Sequence, residues 1–445
     1  PLEERNFLAS SAFIANFTEF WKHVIVCHWK ELLKDNEWFN ECVMLVLWFC
    51  RSTSDECVIV GSFFGTTVAQ QLCDARHNLL NDLERACVTR DTPRKSSLKR
   101  RLSYLDKLCV TLFANIAEGF KFAQLSALLM ERICETLESH PDLMVGEYKQ
   151  LDLLATGLKW KNRKSIQTVL KCLKRLIESG TVETCKAVGL FIMRTETQLV
   201  QIMDAFKSFE LAILLLFLQA QRIVGSVLFS DNSVEKIALK MFSKDEAVVN
   251  AAIDLHVIYH TALTVATELE KHALVAVLDV FERYEYPLAA LDTVTQKLWI
   301  KGFFRKFNDL FAMLEDSIGR PNAAFQGNCL AHVINNCHQL LMEDIKTKVT
   351  PTAHRSESIN WSCIHRRMQS FAKGFPRCLQ AVSRSTSLYS LLLNCLNPVN
   401  NELYKVTNVD CEAFYTAVLF DTLAKVALDE TTDYTALFHT LTSIQ

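Results

Sequence analysis

The sequence predicts an all-α protein, built as an elongated solenoid of stacked helix pairs. Three observations carry that expectation. Only 12 Gly and 8 Pro interrupt 445 residues, so few positions break a helix. Apolar side chains recur at spacings of 3, 4 and 7 along most segments, which marks one face of a helix. The periodic segments are joined by short polar turns, which is how helix pairs stack into a solenoid.

Taken in order, Ser11–Leu33 carries Phe13, Ile14, Phe17, Phe20, Trp21, Val24, Ile25 and Trp29 at helical spacing, an amphipathic opening helix. Asp35-Asn36 can cap the next helix, Glu37–Cys50, and Ser52-Thr53-Ser54-Asp55 breaks it. Cys57–Phe64 is a short β-branched apolar run, read as a helical or irregular connector. Thr67–Val88 is helical. Arg90–Ser97 is polar, contains Pro93, and is the clearest linker. Leu98–Glu118 follows as a long helix with a basic start at Lys99-Arg100-Arg101. Gly119–Ser179 then reads as three helices. The first runs to about Glu138 and stops at His140-Pro141. The second spans about Gly146 to Leu158. The third begins near Asn162 and aligns Ile166, Val169, Leu170, Leu173, Leu176 and Ile177 on one face. A basic corner of Lys159, Trp160, Lys161, Arg163 and Lys164 joins the last two.

Thr195–Ala205, Phe209–Phe229, Val234–Phe242, Asp245–Thr267, Glu268–Tyr284, Leu288–Ile300, Lys301–Ile318 and Ala323–Val349 continue as helices. Polar caps separate some of them, and Tyr286-Pro287 and Gly319–Asn322 are stops. Thr350–Ser356 is a second linker-like stretch. Ser358–Phe371, Ser385–Leu396, Cys411–Leu428 and Tyr434–Ser443 close the chain. The helices pair at a spacing near the ~40–47 residues of HEAT-type units, without a strict sequence repeat, so the repeats are degenerate and HEAT-like. The expected divisions are an N-terminal helical region over 1–90, a linker and long basic helix over 91–118, the three-helix stretch 119–179, and HEAT-like repeats over 180–349 and 350–445.

Composition narrows the function. Hydrophobic residues make up 50% and charged residues 22%, which suits a folded rather than a disordered chain. A formal net charge of −2 does not announce a nucleic-acid binder, so only local patches could serve. The 16 Cys fall singly along helical segments, with no C-x-x-C pair. They read as reduced, mostly buried thiols of a nuclear or cytosolic protein. No secretory signal is visible, and the polar start Pro1–Arg5 reads as a boundary within a longer chain. The apolar runs Leu211–Leu218 and Val43–Cys50 are far short of the ~20 residues a membrane span needs.

No Walker loop, G-x-G-x-x-G, H-E-x-x-H or G-x-S-x-G occurs, and the chain is read as a non-enzyme with no cofactor and no small-molecule substrate. Cys329, His332, Cys337 and His338 look metal-like, but only Cys329 and His332 share a helix face, so ordinary helix side chains are expected. The same applies to His23 and Cys27. Asp279 and Glu282 read as a solvated helix face. Phe206–Leu228 is apolar nearly all round and is either central core or a partner-binding face, with core expected. The functional candidates are the basic patches: Lys99, Arg100 and Arg101, and Lys159, Lys161, Arg163 and Lys164 extended by Lys171, Lys174 and Arg175. They suit phosphate contact, against the plainer reading of solvated helix ends. Interleaved aromatics for stacking on bases are lacking apart from Trp160, so sequence-specific readout is not expected.

The order of segments resembles the stromalin (SA) subunits of cohesin. Asn16–Cys50 is similar to that family's first helix pair, and the basic helix Leu98–Phe120 to the end of its long antiparallel helix. Phe120–Ile177 resembles the conserved stromalin domain, most closely at MERICETLE (Met130–Glu138) and VLKCLKRLIES (Val169–Ser179). Gly189–Met203, Ser230–Leu255, Ala289–Leu314 and Asp410–Ala427 resemble later parts in the same order. The resemblance implies a chromosome-associated scaffold in the nucleus that binds a kleisin or kleisin-like chain, touches DNA without sequence preference, and ends part-way through the family's solenoid. The generic alternative is a HEAT-type adaptor in nuclear transport or signalling.

The departures from the family also matter. Stromalins carry a His-Arg-Tyr-Arg-Asp run where this chain has Lys121-Phe122-Ala123-Gln124-Leu125. The family's aromatic anchors for peptides of cohesin regulators fall, by ungapped matching, at Thr156, Lys159 and Thr195, with Trp160 one position off. A peptide pocket without its aromatic anchors loses its main apolar contacts, so the usual regulators are not expected to bind. Such a divergent member implies a specialised role. The specific resemblance is to the family's insect meiotic paralogue, which acts in homologue conjunction in male meiosis.

Overall fold

A computed structural model describes residues 11–27, 36–141, 150–159, 162–225, 229–263, 269–284, 286–318, 323–349, 361–383 and 385–396, with isolated positions from 407 to 418. Every regular element among them is helical and none is a strand, as the few helix breakers and the 3.6-residue periodicity predict. The chain divides into two compact units, Pro1–Ser230 and Asp231–Gln445.

In the first unit, α1 (Ser11–Lys22) continues through a π-helical turn, His23–Cys27. Next come α2 (Asn36–Cys50) and α3 (Asp55–Val88). The run Cys57–Phe64 is thus fully helical. The Ser54 hydroxyl caps it by accepting from the Cys57 N–H at 3.5 Å, and Asp55 and Glu56 in the first turn suit the helix dipole. Burial of Val58, Gly61 and Phe63 outweighs the weak β preference of this run. The chain near Phe49 and Cys50 approaches so closely that a Cβ on Gly61 would stand 2.5 Å from the Cys50 backbone nitrogen, an approach only glycine permits.

The expected linker Arg90–Ser97 is corrected to a tight turn and a helix start. Arg90 takes the left-handed conformation at φ 55, and Asp91 caps α4 (Thr92–Ile116) by accepting from the Arg94 N–H at 3.2 Å. Pro93 sits in the first turn, where a missing N–H is not felt. A polar, Pro-containing stretch is what a well-capped helix N-terminus also looks like in sequence. A 3₁₀ segment, Ala117–Lys121, then leads to α5 (Ala123–Ser139), α6 (Gln150–Lys159), α7 (Arg163–Ser179), α8 (Val182–Arg194), α9 (Glu196–Ala205) and α10 (Glu210–Val224). Helix α8 was not anticipated; Thr181 caps it through the Thr184 N–H at 3.2 Å.

Packing in this unit runs between near neighbours in sequence. Helix α3 is covered by α2, α4 and α5; α5 packs on α7, α7 on α8, and α8 on α10. That is the packing logic of a helical repeat protein. Buried polar contacts fix the layers. Arg132 of α5 donates to Thr18 at 2.9 Å and Thr67 at 3.3 Å, with its guanidinium 5.2 Å from the Phe63 ring. Arg76 of α3 pairs with Asp106 of α4 at 2.7 Å. Helix α10 buries Ile213, Leu214, Leu216, Phe217 and Leu218 and exposes Leu215, so this apolar stretch is core.

The second unit contains α11 (Asp231–Lys240), α12 (Glu246–Leu263), α13 (Leu269–Arg283), α14 (Leu288–Ile300), α15 (Phe307–Ile318), α16 (Ala323–Val349), α17 (Trp361–Ala381) and α18 (Thr386–Leu393), closed by a 3₁₀ turn at Asn394–Leu396. Here too each helix packs on close sequence neighbours: α12 on α11, α13 and α14; α16 on α14, α15 and α18; α15 on α17. The helix expected from Lys301 begins only at Phe307, because left-handed Gly302 (φ 84) and Phe304 (φ 59) turn the chain first. Helix α17 runs past Phe371 and through Pro376, which is itself buried beside Phe371 and Phe375. Thr350–Ser356, Tyr434–Ser443 and most of Cys411–Leu428 lie outside the described residues.

Two outcomes follow from this packing. Replacing Gly61 by Ala overpacks the approach to Cys50 and should lower stability by about 1–3 kcal/mol, read as a fall in the urea unfolding midpoint; an unchanged midpoint would show that the two backbones separate freely. His256 and His338 are buried, and burial lowers each imidazole pKa to about 4. Unfolded, both titrate near ~6.5, so the unfolded state binds more protons below that pH. Stability should therefore fall as pH drops from about 6.5 towards about 4. Unfolding midpoints of the wild type and of His338→Leu across that window check it, the variant showing the shallower fall.

Candidate cationic surface of helices α4 and α7

Helix α7 presents the larger basic patch. Its start is set by Asn162, whose side-chain oxygen accepts from the Lys164 N–H at 3.0 Å and the Ser165 N–H at 3.3 Å. Ile166, Val169, Leu170, Cys172, Leu173 and Leu176 are buried, which fixes the helix's rotation. Arg163, Lys164, Lys171, Lys174 and Arg175 are left exposed on the opposite side. Lys159, in the last turn of α6, is also exposed; Lys161 and Trp160 lie outside the described residues.

The cations are not equivalent. Arg175 pairs with Glu138 of α5 at 2.9 Å, and Lys174 with Glu178 one turn along at 3.7 Å. Arg163 reaches the Ser208 hydroxyl at 3.4 Å. Lys159, Lys164 and Lys171 form no ion pair among the described residues. The first turn of α7 contains no acidic residue and begins with Arg163 and Lys164. A positive charge there opposes the helix dipole, at about 0.3–1 kcal/mol per charge near the surface. The sequence reading of cations serving helix C-termini therefore does not account for these two.

Helix α4 repeats the pattern. Its first turn has no acidic residue, and Arg94 and Lys95 precede Lys99, Arg100 and Arg101. Lys99 and Arg100 are exposed and Arg101 is half-buried; none of the three forms an ion pair among the described residues. Helix α6 packs against both α4 and α7.

Thr156 and Thr195, two of the positions matched to aromatic peptide anchors, each bond to a backbone carbonyl one turn earlier. Thr156 is half-buried and donates its hydroxyl to the Asp152 carbonyl at 3.0 Å. Thr195 is buried, with its hydroxyl donated to the Phe191 carbonyl at 2.9 Å. The seam between these segments is closed by two contacts that sequence reasoning missed: Arg194 pairs with Asp152, and the Gln198 amide donates to the Ala155 carbonyl at 2.9 Å. Polar spacing alone gave no sign of these contacts, because they join residues more than one helix apart.

The metal-like residues are dispersed or engaged. Cys329 and Cys337 are buried, His338 lies 4.4 Å from the Phe371 ring, and His332 bonds Asp292 at 2.6 Å, a carboxylate that Asn336 also contacts. No group of three His, Cys, Asp or Glu side chains that could hold a metal occurs among the described residues. No helix among them is long and apolar enough to cross a membrane.

No family model matches the chain, and no curated protein matches it. Among solved structures it is similar to a circular tandem repeat protein with novel repeat topology and enhanced subunit contact surfaces, at 13% identity over 98% of this chain and 95% of that one, with a TM-score of 0.25. A TM-score that low carries no argument about function, and the all-helical repeat packing stands on the chain's own elements.

Proposed function

We propose that the chain is a non-enzymatic, chromosome-associated scaffold resembling a cohesin SA subunit. It binds a kleisin or kleisin-like chain and helps hold chromosomes together in the nucleus, in meiotic homologue conjunction. The observation that carries its role as a binding scaffold is on α2. That helix buries Phe39, Val43, Val46, Leu47 and Cys50, yet leaves Met44 (60%), Leu45 (56%) and Trp48 (63%) exposed together on its outer side. Isolated exposed apolar side chains are ordinary, whereas a contiguous apolar set rich in Met and Trp suits a protein partner. The partner's chemical class comes from the stromalin resemblance. The cations at the starts of α4 and α7 supply the second contact. They oppose their own helix dipoles, and a phosphate backbone would relieve that repulsion without any readout of bases.

Purification of the full chain from its own cells should bring down one kleisin-like polypeptide in a one-to-one complex, and the pair Met44→Asp and Trp48→Asp should reduce it by about tenfold or more, as the loss of a central aromatic anchor does. Recovery of transport or signalling cargo in its place would favour the adaptor reading. For DNA, reversing Lys161, Arg163 and Lys164 to Glu should weaken duplex binding and reduce the log–log salt slope by roughly one per phosphate contact removed, with unfolding unchanged. A salt titration that overlays the wild type would remove this patch from the reading.

A further inference from the structure

The unit Asp231–Gln445 contains a second cationic site that the sequence reading placed in the first turns of the helix Lys301–Ile318. The turn Lys301–Lys306 between α14 and α15 holds two left-handed residues, Gly302 at φ 84 and Phe304 at φ 59. A bulky side chain in that region is strained by of order 1–3 kcal/mol and persists only where its surroundings over-determine it. They do so here. Glu270 of α13 accepts from the Arg305 N–H at 3.1 Å. Arg367 of α17, only 5% exposed, donates to the Phe303 carbonyl at 2.7 Å and lies 3.6 Å from the centre of the Trp299 ring. Trp299 in turn donates to Asp344 at 2.9 Å. A buried arginine stacked on an indole and bonded to a carbonyl holds the turn in one conformation.

That rigid turn lines a cavity of about 340 Å³, together with Lys301, Arg305, Lys306 and Arg366 as cations and Glu270 and Asp309 as carboxylates. Lys301 is paired with Asp254. Arg305, Lys306 and Arg366 are exposed and form no ion pair among the described residues. The Arg305 Nε donates to the Gly302 carbonyl at 3.1 Å, which anchors its guanidinium at the rim.

We propose that this cradle binds the phosphate of a phosphorylated Ser or Thr side chain on a partner segment. Three cations from two separate elements surround one concavity, and a phosphomonoester offers three acceptor oxygens and nearly two negative charges to such a group. The site admits a single protruding group, whereas a duplex presents a convex row of phosphates. Glu270 and Asp309 would repel a continuous polyanion, yet can accept the main-chain N–H groups that flank one phosphate in a peptide. Recognition of phosphorylated motifs by clustered arginines is an established mode of peptide binding. The inference does not depend on the kleisin reading, which concerns the other unit.

The test uses the full chain and a fluorescein-labelled peptide library with a fixed central phosphoserine, beside the same library with serine, read by anisotropy. The phosphoserine pool should bind about tenfold or more tightly than the serine pool, as charge-assisted bonds to phosphate provide. The triple variant Arg305→Gln, Lys306→Gln, Arg366→Gln should abolish that difference, and Arg366→Gln alone, on the exposed face of α17, should reduce it with unfolding unchanged. Equal binding of the two pools, no binding of either, or a phosphoserine preference that survives the triple variant overturns the proposal. Duplex DNA that binds here in place of the peptides, and is lost in the triple variant, overturns it in favour of a nucleic-acid contact.

Discussion

An apolar helix face that only its neighbours in sequence can cover is the constraint on which both units depend. Helix α7 alone would expose Ile166, Val169, Leu170, Leu173 and Leu176 to water; α5 and α8 cover them. Helix α5 in turn is held by α3, and α3 by α2 and α4. Burying one such side chain contributes about 1.5–3 kcal/mol, so each layer's stability belongs to the pair and not to the helix. Close approach is part of the same constraint. Gly61 lets the α2 end meet α3 backbone to backbone, and Arg132 satisfies its donors against Thr18 and Thr67 where three helices meet.

Since the inward faces are committed to packing, selection for partners acts on what faces out. The outer side of α7 is crowded with like charge, and the helix does not relieve it fully. Glu138 and Glu178 neutralise Arg175 and Lys174, towards the end of the helix where the dipole already favours cations. Lys164 and Lys171, nearer its start, are left without ion pairs among the described residues. Local stability would place the acids at the other end. Helix α4 shares one part of this arrangement, a first turn with cations and no acid.

Much of the fold was legible because periodicity and breakers are local. The bounds Leu288–Ile300 and Ala323–Val349 match the sequence reading, since Pro287 before the first and the Gly and Pro of the sequence before the second are strong stop signals. What misled was also local. Arg90–Ser97 looked like a linker because a capped helix start, Asp91 followed by Pro93, shares its composition with a loop. Lys301–Lys306 looked helical because its aromatic and basic residues fit a helical period, and one Gly is a weak stop signal. The outward position of the α7 cations was legible from the apolar stripe opposite them. Which of them are neutralised was not, because Glu138 meets Arg175 only through the packing of α5 on α7. Arg194 and Asp152, which close the seam beside Thr156 and Thr195, pose the same problem at longer range.

The two cationic surfaces separate by shape more than by charge. On α7 the free cations stand on a convex helix face, spaced by turns of about 5.4 Å, and each can meet a different phosphate of an extended polyanion. At the Lys301–Lys306 turn the free cations close on one concavity, with two carboxylates beside them. A polyanion would gain three attractions there and suffer two repulsions, whereas one phosphate flanked by hydrogen-bond donors satisfies both signs of charge. The left-handed Phe304 sharpens this difference. The strain is held by the stacked Arg367 and the half-buried Glu270, and burial of the Phe303 and Phe304 side chains offsets it. The same conformation sets Arg305 and Lys306 beside Arg366 at the rim of the concavity.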